Sequence, residues 1–503
     1  MRTGKLERRA MPATPGWTAA LAGLGAIALS ACSFAPKYTV PDVPIAGRYQ
    51  AGAGGDAGAG WTPASPADRL ARGNWWTLYG DDQLDALAAR VETGSPDLAA
   101  ALAHYEQAAA YRDQTRAAYF PNLSLGGTVE RERASAMQPP SGRSEKYFDS
   151  NSLGLSAAYE LDLWGRVRNS VRAGNAGLAA AAADLESARL SLQAELVDDY
   201  VQLRRYDSET QLLQDTVVAY DKALQLTQTR HDGGIASGLD VARARTQLQT
   251  ARAQVSTTAA QRTLLEHAIA VLIGESPSSF TIAADTTPLA LPTIPLELPA
   301  TLLQRRPDIA AAERRTAAAN ATVGVARAAW FPSLNLSASA GYSSFDNSDW
   351  FKASNLFWAV GPSLALDLFN GGLRAAQVRQ ARAALDEAGA DYRAVALQAF
   401  SQVEDNLTVL ARYRDAAADQ TLAVDAAQQA LDYAMTRYRE GAVNYLDVTV
   451  AQTAALQTRR DQLALQTGRL RASVALIRAL GGGWSEGDRP VMAEAMPESD
   501  ASR

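Results

Sequence analysis

One cysteine and a few charged residues at repeated spacings are the side chains here whose placement suggests chemistry. Cys32 closes the run Leu29-Ser30-Ala31-Cys32, behind an apolar stretch from Trp17 to Ala28 and a start carrying Arg2, Lys5, Arg8 and Arg9. That order is the layout of a secretory signal peptide, with an apolar run too short for an ordinary spanning helix. Small residues before a lone Cys match a bacterial lipobox, in which the chain is cut before the Cys and the thiol takes a diacylglycerol. An incidental Cys is the competing reading, and it leaves the position behind the apolar run unexplained. The second set is Asp240 in Leu239-Asp240-Val241 and Asp447 in Leu446-Asp447-Val448. A carboxylate there can cap the following helix or offer charge to cations and partner donors, and both readings stand. Arg230 and Arg437 each lie four residues before a glycine, Gly234 and Gly441.

Enzyme chemistry finds little to work with. His104, His231 and His267 are the three histidines, and no two have metal-ligand spacing. Acidic pairs such as Asp198-Asp199 sit in charge-rich stretches that read as solvated helix faces. No nucleophile–His–acid order or phosphate-cradling glycine loop is present. The net charge of -6 comes with no Lys/Arg block, which argues against a nucleic-acid partner.

What must position these residues is a duplication. Pro96-Asp97-Leu98-Ala99-Ala100 recurs as Pro307-Asp308-Ile309-Ala310-Ala311, and Ala118-Tyr119-Phe120-Pro121 recurs as Ala329-Trp330-Phe331-Pro332, both at an offset of 211. Leu161-Asp162-Leu163-Trp164 recurs as Leu366-Asp367-Leu368-Phe369 at 205, and the segment from Gly234 to Val241 recurs from Gly441 to Val448 at 207. Order kept along the whole chain marks a tandem repeat. In each half a helix runs to Pro121 or Pro332, which stop it by lacking an N–H. Period-two segments follow (Leu123, Leu125, Leu153 and Leu155; then Leu334, Leu336, Leu364 and Leu366), so each half carries one strand hairpin. Long Ala-rich helices come next, from about Val167 to His231 and from about Leu373 to Tyr438, each reaching on the order of 100 Å. Glycines 233, 234 and 441 break them before a second long helix.

Four strands cannot cross a bilayer alone, because sheet edges leave backbone groups unsatisfied in lipid and single-chain barrels start at about eight strands. Several chains must pool strands, with the long polar helices continuing into an aqueous space. A soluble coiled-coil protein with incidental hairpins is the alternative, and it explains neither the lipobox nor the paired motifs that bracket both hairpins.

Four segments resemble the TolC-like outer-membrane efflux factors, NodT-type lipoprotein branch. They are Trp75-Trp76-Thr77-Leu78-Tyr79-Gly80-Asp81, Tyr159 to Arg166 (YELDLWGR), Leu303 to Ile309 (LQRRPDI) and Tyr438-Arg439-Glu440-Gly441. The resemblance implies a mainly α fold with transmembrane β, in which two tandem repeats per chain are pooled by a homotrimer into a twelve-stranded barrel and an α-helical periplasmic barrel. It implies a passive outer-membrane channel for drugs or other small toxic molecules. The implied partners are a periplasmic membrane-fusion adaptor and an inner-membrane transporter of the resistance-nodulation-division class. A duct for type I protein secretion is the alternative function. Ser33 after the Cys, rather than Asp, fits an outer-membrane address, with a diacylglycerol and an N-acyl chain on Cys32. Asp240, Asp447 and Tyr438 become candidates for a periplasmic gate, and Arg230, Gly234, Arg437 and Gly441 for adaptor contact at the helix tips. Val443 and Val450 depart from the family's gate pattern.

The expected organisation is a signal peptide over 1–31, a lipidated tether without packed structure over 32–72, a first repeat over 73–285, a second over 286–484 and a tail over 485–503. The strand hairpins are expected over about 121–163 and 332–368, and the helical hairpins over about 164–274 and 369–481. Trp164, Trp330 and Trp358 are placed either at a lipid interface or in a core.

Overall fold

The computed structural model describes residues 33–44, 49, 72–133, 135, 147–292, 294, 306–345 and 349–482. The expected signal peptide, Cys32 and the tail lie outside them.

A short 3-10 turn, Arg72–Tyr79, leads into helices α1 (Asp82–Gly94) and α2 (Pro96–Ala117). Strands β1 (Asn122–Arg133) and β2 (Tyr147–Leu161) follow, then helices α3 (Arg166–Asp232) and α4 (Gly238–Leu272). The second half supplies α5 (Pro307–Ala328), β3 (Ser333–Ser344), β4 (Leu356–Ala365), α6 (Leu373–Arg439) and α7 (Tyr445–Ala479). The duplication holds to the residue in helix length: 22 for α2 and α5, 67 for α3 and α6, and 35 for α4 and α7. Both short helices end in the same tightened turn, with Phe120 N donating to Ala117 O and Phe331 N to Ala328 O, just before the proline.

Contacts divide the chain into two compact units. The first takes the described residues up to Val40, Ala108–Leu178 and Arg314–Gly389. It holds one antiparallel sheet in the order β1-β2-β3-β4. Leu125 pairs with Leu155, Leu161 with Leu334, and Leu334 with Leu364. Alternation sends these side chains to one face, where Leu125, Val129, Trp358, Val360 and Leu364 are exposed. The opposite face is rich in hydroxyls, with Ser124 and Ser156 at 2.7 Å and Thr128 and Ser152 at 2.9 Å. The sheet is therefore amphipathic, with its apolar side unburied.

The segment behind Cys32 corrects the expectation of an unpacked tether. The Ser33 hydroxyl donates to Asn169 Oδ1 at 3.1 Å, Arg327 donates to the Phe34 carbonyl, and Asn320 donates to the Pro36 carbonyl. The Phe34 ring stacks on Phe331 at 4.3 Å, and Phe331 stacks in turn on Trp164 at 4.9 Å. Ala35 lies so close to Gly324 that a Cβ there would come within 2.8 Å of its own. Phe34 supplies the apolar surface that the surrounding prolines and glycines concealed. Trp164 is half-buried here, whereas Trp330 and Trp358 are exposed.

The second unit takes the described residues within Pro41–Gln107, Ala179–Glu313 and 390–482. Its core joins Trp75, Trp76 and Tyr79 to Leu84 and Val91 of α1, Leu196 and Leu203 of α3, Ile269 of α4 and Leu476 of α7. Val43 is buried beside Ile309 and Tyr392, and Tyr49 reaches the main core, so this part of the N-terminal segment is packed as well. The Arg-Pro-Asp motif has a structural task. Buried Arg306 pairs with Asp308 at 2.6 Å and donates to the Ala479 carbonyl at 3.0 Å, satisfying an orphan acceptor at the end of α7. Arg262 holds Asp207 at 2.6 Å and the Ile282 carbonyl, and Arg204 holds Asp285 at 2.8 Å and the Thr287 carbonyl. Backbone donation from Thr287, joined by Arg204, keeps the Asp285 carboxyl well below its ordinary range. Burial and the neighbouring Asp198 and Glu195 push Asp199 up to about 6.

Candidate functional site: the paired helix tips

The repeated glycines make the turns. Gly234 (φ +76°) and Gly441 (φ +79°) adopt left-handed backbone that a side chain disfavours by about 1–2 kcal/mol. Each permits the same closure. Ile235 N reaches back to the Arg230 carbonyl at 2.7 Å, and Ala442 N to the Arg437 carbonyl at 2.8 Å.

The caps that restart the helices differ. Ser237 caps α4 through a capping box, in which its side chain accepts from Asp240 N and the Asp240 carboxylate accepts from Ser237 N. Asp240 Oδ1 also faces Arg243 at 3.5 Å. Asn444 caps α7, accepting from Leu446 N at 2.9 Å and Asp447 N at 3.3 Å. That leaves the Asp447 carboxylate exposed and, among the described residues, outside any ion pair. The two readings of these acids thus part company: Asp240 is engaged in a cap, and Asp447 is a solvent-facing charge.

The arginines divide in the same way. Arg230 crosses from α3 to the end of α6, where its Nη1 donates to the Tyr438 carbonyl at 2.7 Å and the Arg439 carbonyl at 3.0 Å. Its guanidinium lies over the Tyr438 ring, 4.9 Å from the centroid. A cation on the last carbonyls of a helix is favoured by the helix dipole and by cation–π attraction. Arg437, its counterpart in the repeat, is exposed. Tyr438 is buried, and its hydroxyl donates to Thr227 Oγ1 at 3.3 Å. Its ring meets Tyr445 edge-on at 5.2 Å, in a cluster with Ala244 and Val448 that Val443 packs against. Burial pushes the Tyr445 phenol up to about 12. Val450 is exposed.

The structure therefore gathers Arg230, Tyr438 and Gly441 into one clasp, since a Cβ on Gly441 would lie 3.4 Å from Arg230 Nη2. Asp240, Asp447, Arg437 and Gly234 stay outside it. Sequence reasoning missed Thr227 and Tyr445, which complete the seam and carry no local signature. It also passed over Ser237 as the partner of Asp240, although the spacing Ser237-Gly238-Leu239-Asp240 was available. Among the described residues no group of three or more His, Cys, Asp or Glu is placed to hold a metal, and no helix is long and apolar enough to cross a membrane.

Known proteins resemble this chain along nearly its full length. The toluene efflux pump outer membrane protein TtgF of Pseudomonas putida is 32% identical over 461 residues, covering 91% of this chain and 95% of the relative. The pyoverdine export outer membrane protein OpmQ of Pseudomonas aeruginosa is 33% identical, covering 83% and 89%. The solved structure of the outer-membrane channel OprN superposes with a TM-score of 0.80 at 31% identity, covering 90% of this chain and 100% of that one. The model of the outer membrane efflux protein family matches residues 87–275 and 298–482, and the chain belongs to that family.

Proposed function

We propose that this outer-membrane efflux protein works as a homotrimeric passive duct, taking small toxic molecules from an inner-membrane transporter and a periplasmic adaptor to the cell exterior. One observation carries the assembly. The sheet has an apolar exposed face and two strands, β1 and β4, that pair on one side only among the described residues. A sheet with open edges is excluded from lipid, and three copies of four strands close a barrel of about twelve. An acyl-modified Cys32 adds a second hold on the membrane, at roughly 0.8 kcal/mol per buried CH₂. The chain itself does no catalysis, and the resistance-nodulation-division class of transporter supplies the energy. The relatives are named for cargoes as unlike as toluene and pyoverdine, so cargo choice is assigned to the partner rather than to the duct.

At the tips, the Arg230–Tyr438 clasp holds the two helical hairpins together, and Asp447 sets the charge of the opening. Conductance across a planar bilayer tests this. Wild type should pass small, flickering currents, Arg230→Ala should pass larger and steadier ones, and Asp447→Ala should lose cation preference. Silence from all three proteins, each shown folded and inserted, refutes an autonomous duct.

A further inference from the structure

The duplication makes one contact in this chain a template for another that a single chain cannot complete. Where the halves meet, Trp164 at the end of β2 stacks on Phe331 just before β3, with ring centroids 4.9 Å apart, and its Nε1 donates to the Pro332 carbonyl at 2.7 Å. By the repeat offsets of 205 and 211, Trp164 corresponds to Phe369 and Phe331 to Phe120. Those two corresponding rings are left bare: Phe369, behind β4, is 90% exposed, and Phe120, ahead of β1, is 73% exposed. They stand at the ends of the two strands that have an unpaired edge. Bare aromatic rings beside open sheet edges are costly in water and mark a contact.

We propose that Phe369 of one chain packs on Phe120 of a second copy, repeating between subunits the stack that Trp164 and Phe331 make within one chain. The proposal rests on the homotrimeric reading and adds the residues that join the copies. Strand directions agree: β1 to β4 alternate, so β4 meets the partner subunit's β1 antiparallel, as β2 meets β3. Carrying over the β2–β3 pairing, in which Leu161 faces Leu334, sets Leu366 opposite the partner subunit's Leu123 and Leu364 opposite the partner subunit's Leu125. Apolar side chains then oppose apolar ones, and a slip of one residue would set them against the hydroxyl row. The two hairpins differ from each other by two residues of register, since Leu123 faces Ala157 whereas Leu334 faces Leu364, so the aromatic pair is the sharper marker of the joint. The joint also lacks one element of its template. Phenylalanine has no N–H, so nothing repeats the bond from Trp164 to Pro332.

Disulfide trapping tests the contact, because the sequence holds a single cysteine, Cys32. Full-length protein carrying Phe120→Cys and Phe369→Cys should give covalent dimers and trimers on mild oxidation, lost on reduction. Each single variant, and Phe120→Cys combined with Phe351→Cys from the far end of the sheet, should not. A native mass of three chains without cross-links overturns the contact and leaves the duct standing. A native mass of one chain overturns the duct reading beneath it. A link confined to one chain, seen as a shifted monomer, also overturns the contact. Phe369→Trp should raise the temperature at which the trimer dissociates in detergent, by restoring a donor towards the partner subunit's Pro121 carbonyl. A lowered temperature counts against the template.

Discussion

The two helix tips are built on one backbone and put to different use. Both close on a left-handed glycine, and both follow helices of 67 residues. In the first, Arg230 reaches across to the carbonyls ending α6, and Asp240 is absorbed in a capping box. In the second, Arg437 and Asp447 face solvent. Buried Tyr438 has exposed His231 as its repeat counterpart, with a ring nitrogen near the Ala236 carbonyl. Duplication kept the geometry that needs glycine and freed the side chains to diverge, so one tip supplies the fastening and the other the accessible charge.

The comparison can be broken most directly at Tyr438. Truncating it to Ala empties a buried site and should cost about 3–5 kcal/mol locally, whereas His231→Ala should stay within about 0.5 kcal/mol. Hydrogen exchange of the amides in both tips reads the difference, and equal protection in the two variants contradicts the asymmetry. Arg230→Ala comes next, losing charged hydrogen bonds worth about 1.5–3 kcal/mol against near-neutrality for Arg437→Ala. The distance between spin labels on the two tips should broaden in the first variant alone. Asp240→Ala should cost about 1 kcal/mol through the lost cap, fraying the start of α4. Asp447→Ala should leave exchange unchanged while altering ion selectivity.

The smallest effect tests the comparison higher in the repeat, where Asn406 stands at the counterpart of Asp199. Burial, then Asp198 and Glu195, raise Asp199 to about 6, so the folded state holds its proton more tightly than the unfolded chain does. Its contribution is therefore fully present below the ordinary carboxylate range and is lost as pH rises through about 6. Asp199→Asn, which copies the second half, should raise the melting temperature at pH 7 by a few degrees and leave it unchanged near pH 4. An equal shift at both values rules out titration as the cause.

Much of the fold was legible because a few residue types dictate it. Pro121, Pro332, Gly234 and Gly441 mark ends that no neighbour can overrule, and period-two leucines mark strands. The N-terminal segment misled because glycine and proline signalled slack, while isolated Phe34, Val43 and Tyr49 each found an apolar seat elsewhere in the chain. At the site, the motif common to both tips located Arg230 and Arg437 but gave no means of separating them. Which arginine crosses is settled by how the end of α3 meets the end of α6, a tertiary fact with no trace in either local sequence.

The seat of Ser33 to Pro36 also bears on how an acyl chain at Cys32 would behave. A lipid on a long flexible leash samples a large volume and constrains its protein weakly. Here the next residue is already fixed to Asn169, and the ring after it is held against Phe331. The leash has almost no length, so the fatty chains would act as a depth gauge, reporting the height of the sheet's end relative to the lipid surface. Adding slack, with a glycine–serine insertion between Phe34 and Ala35, would keep the anchor and lose the gauge.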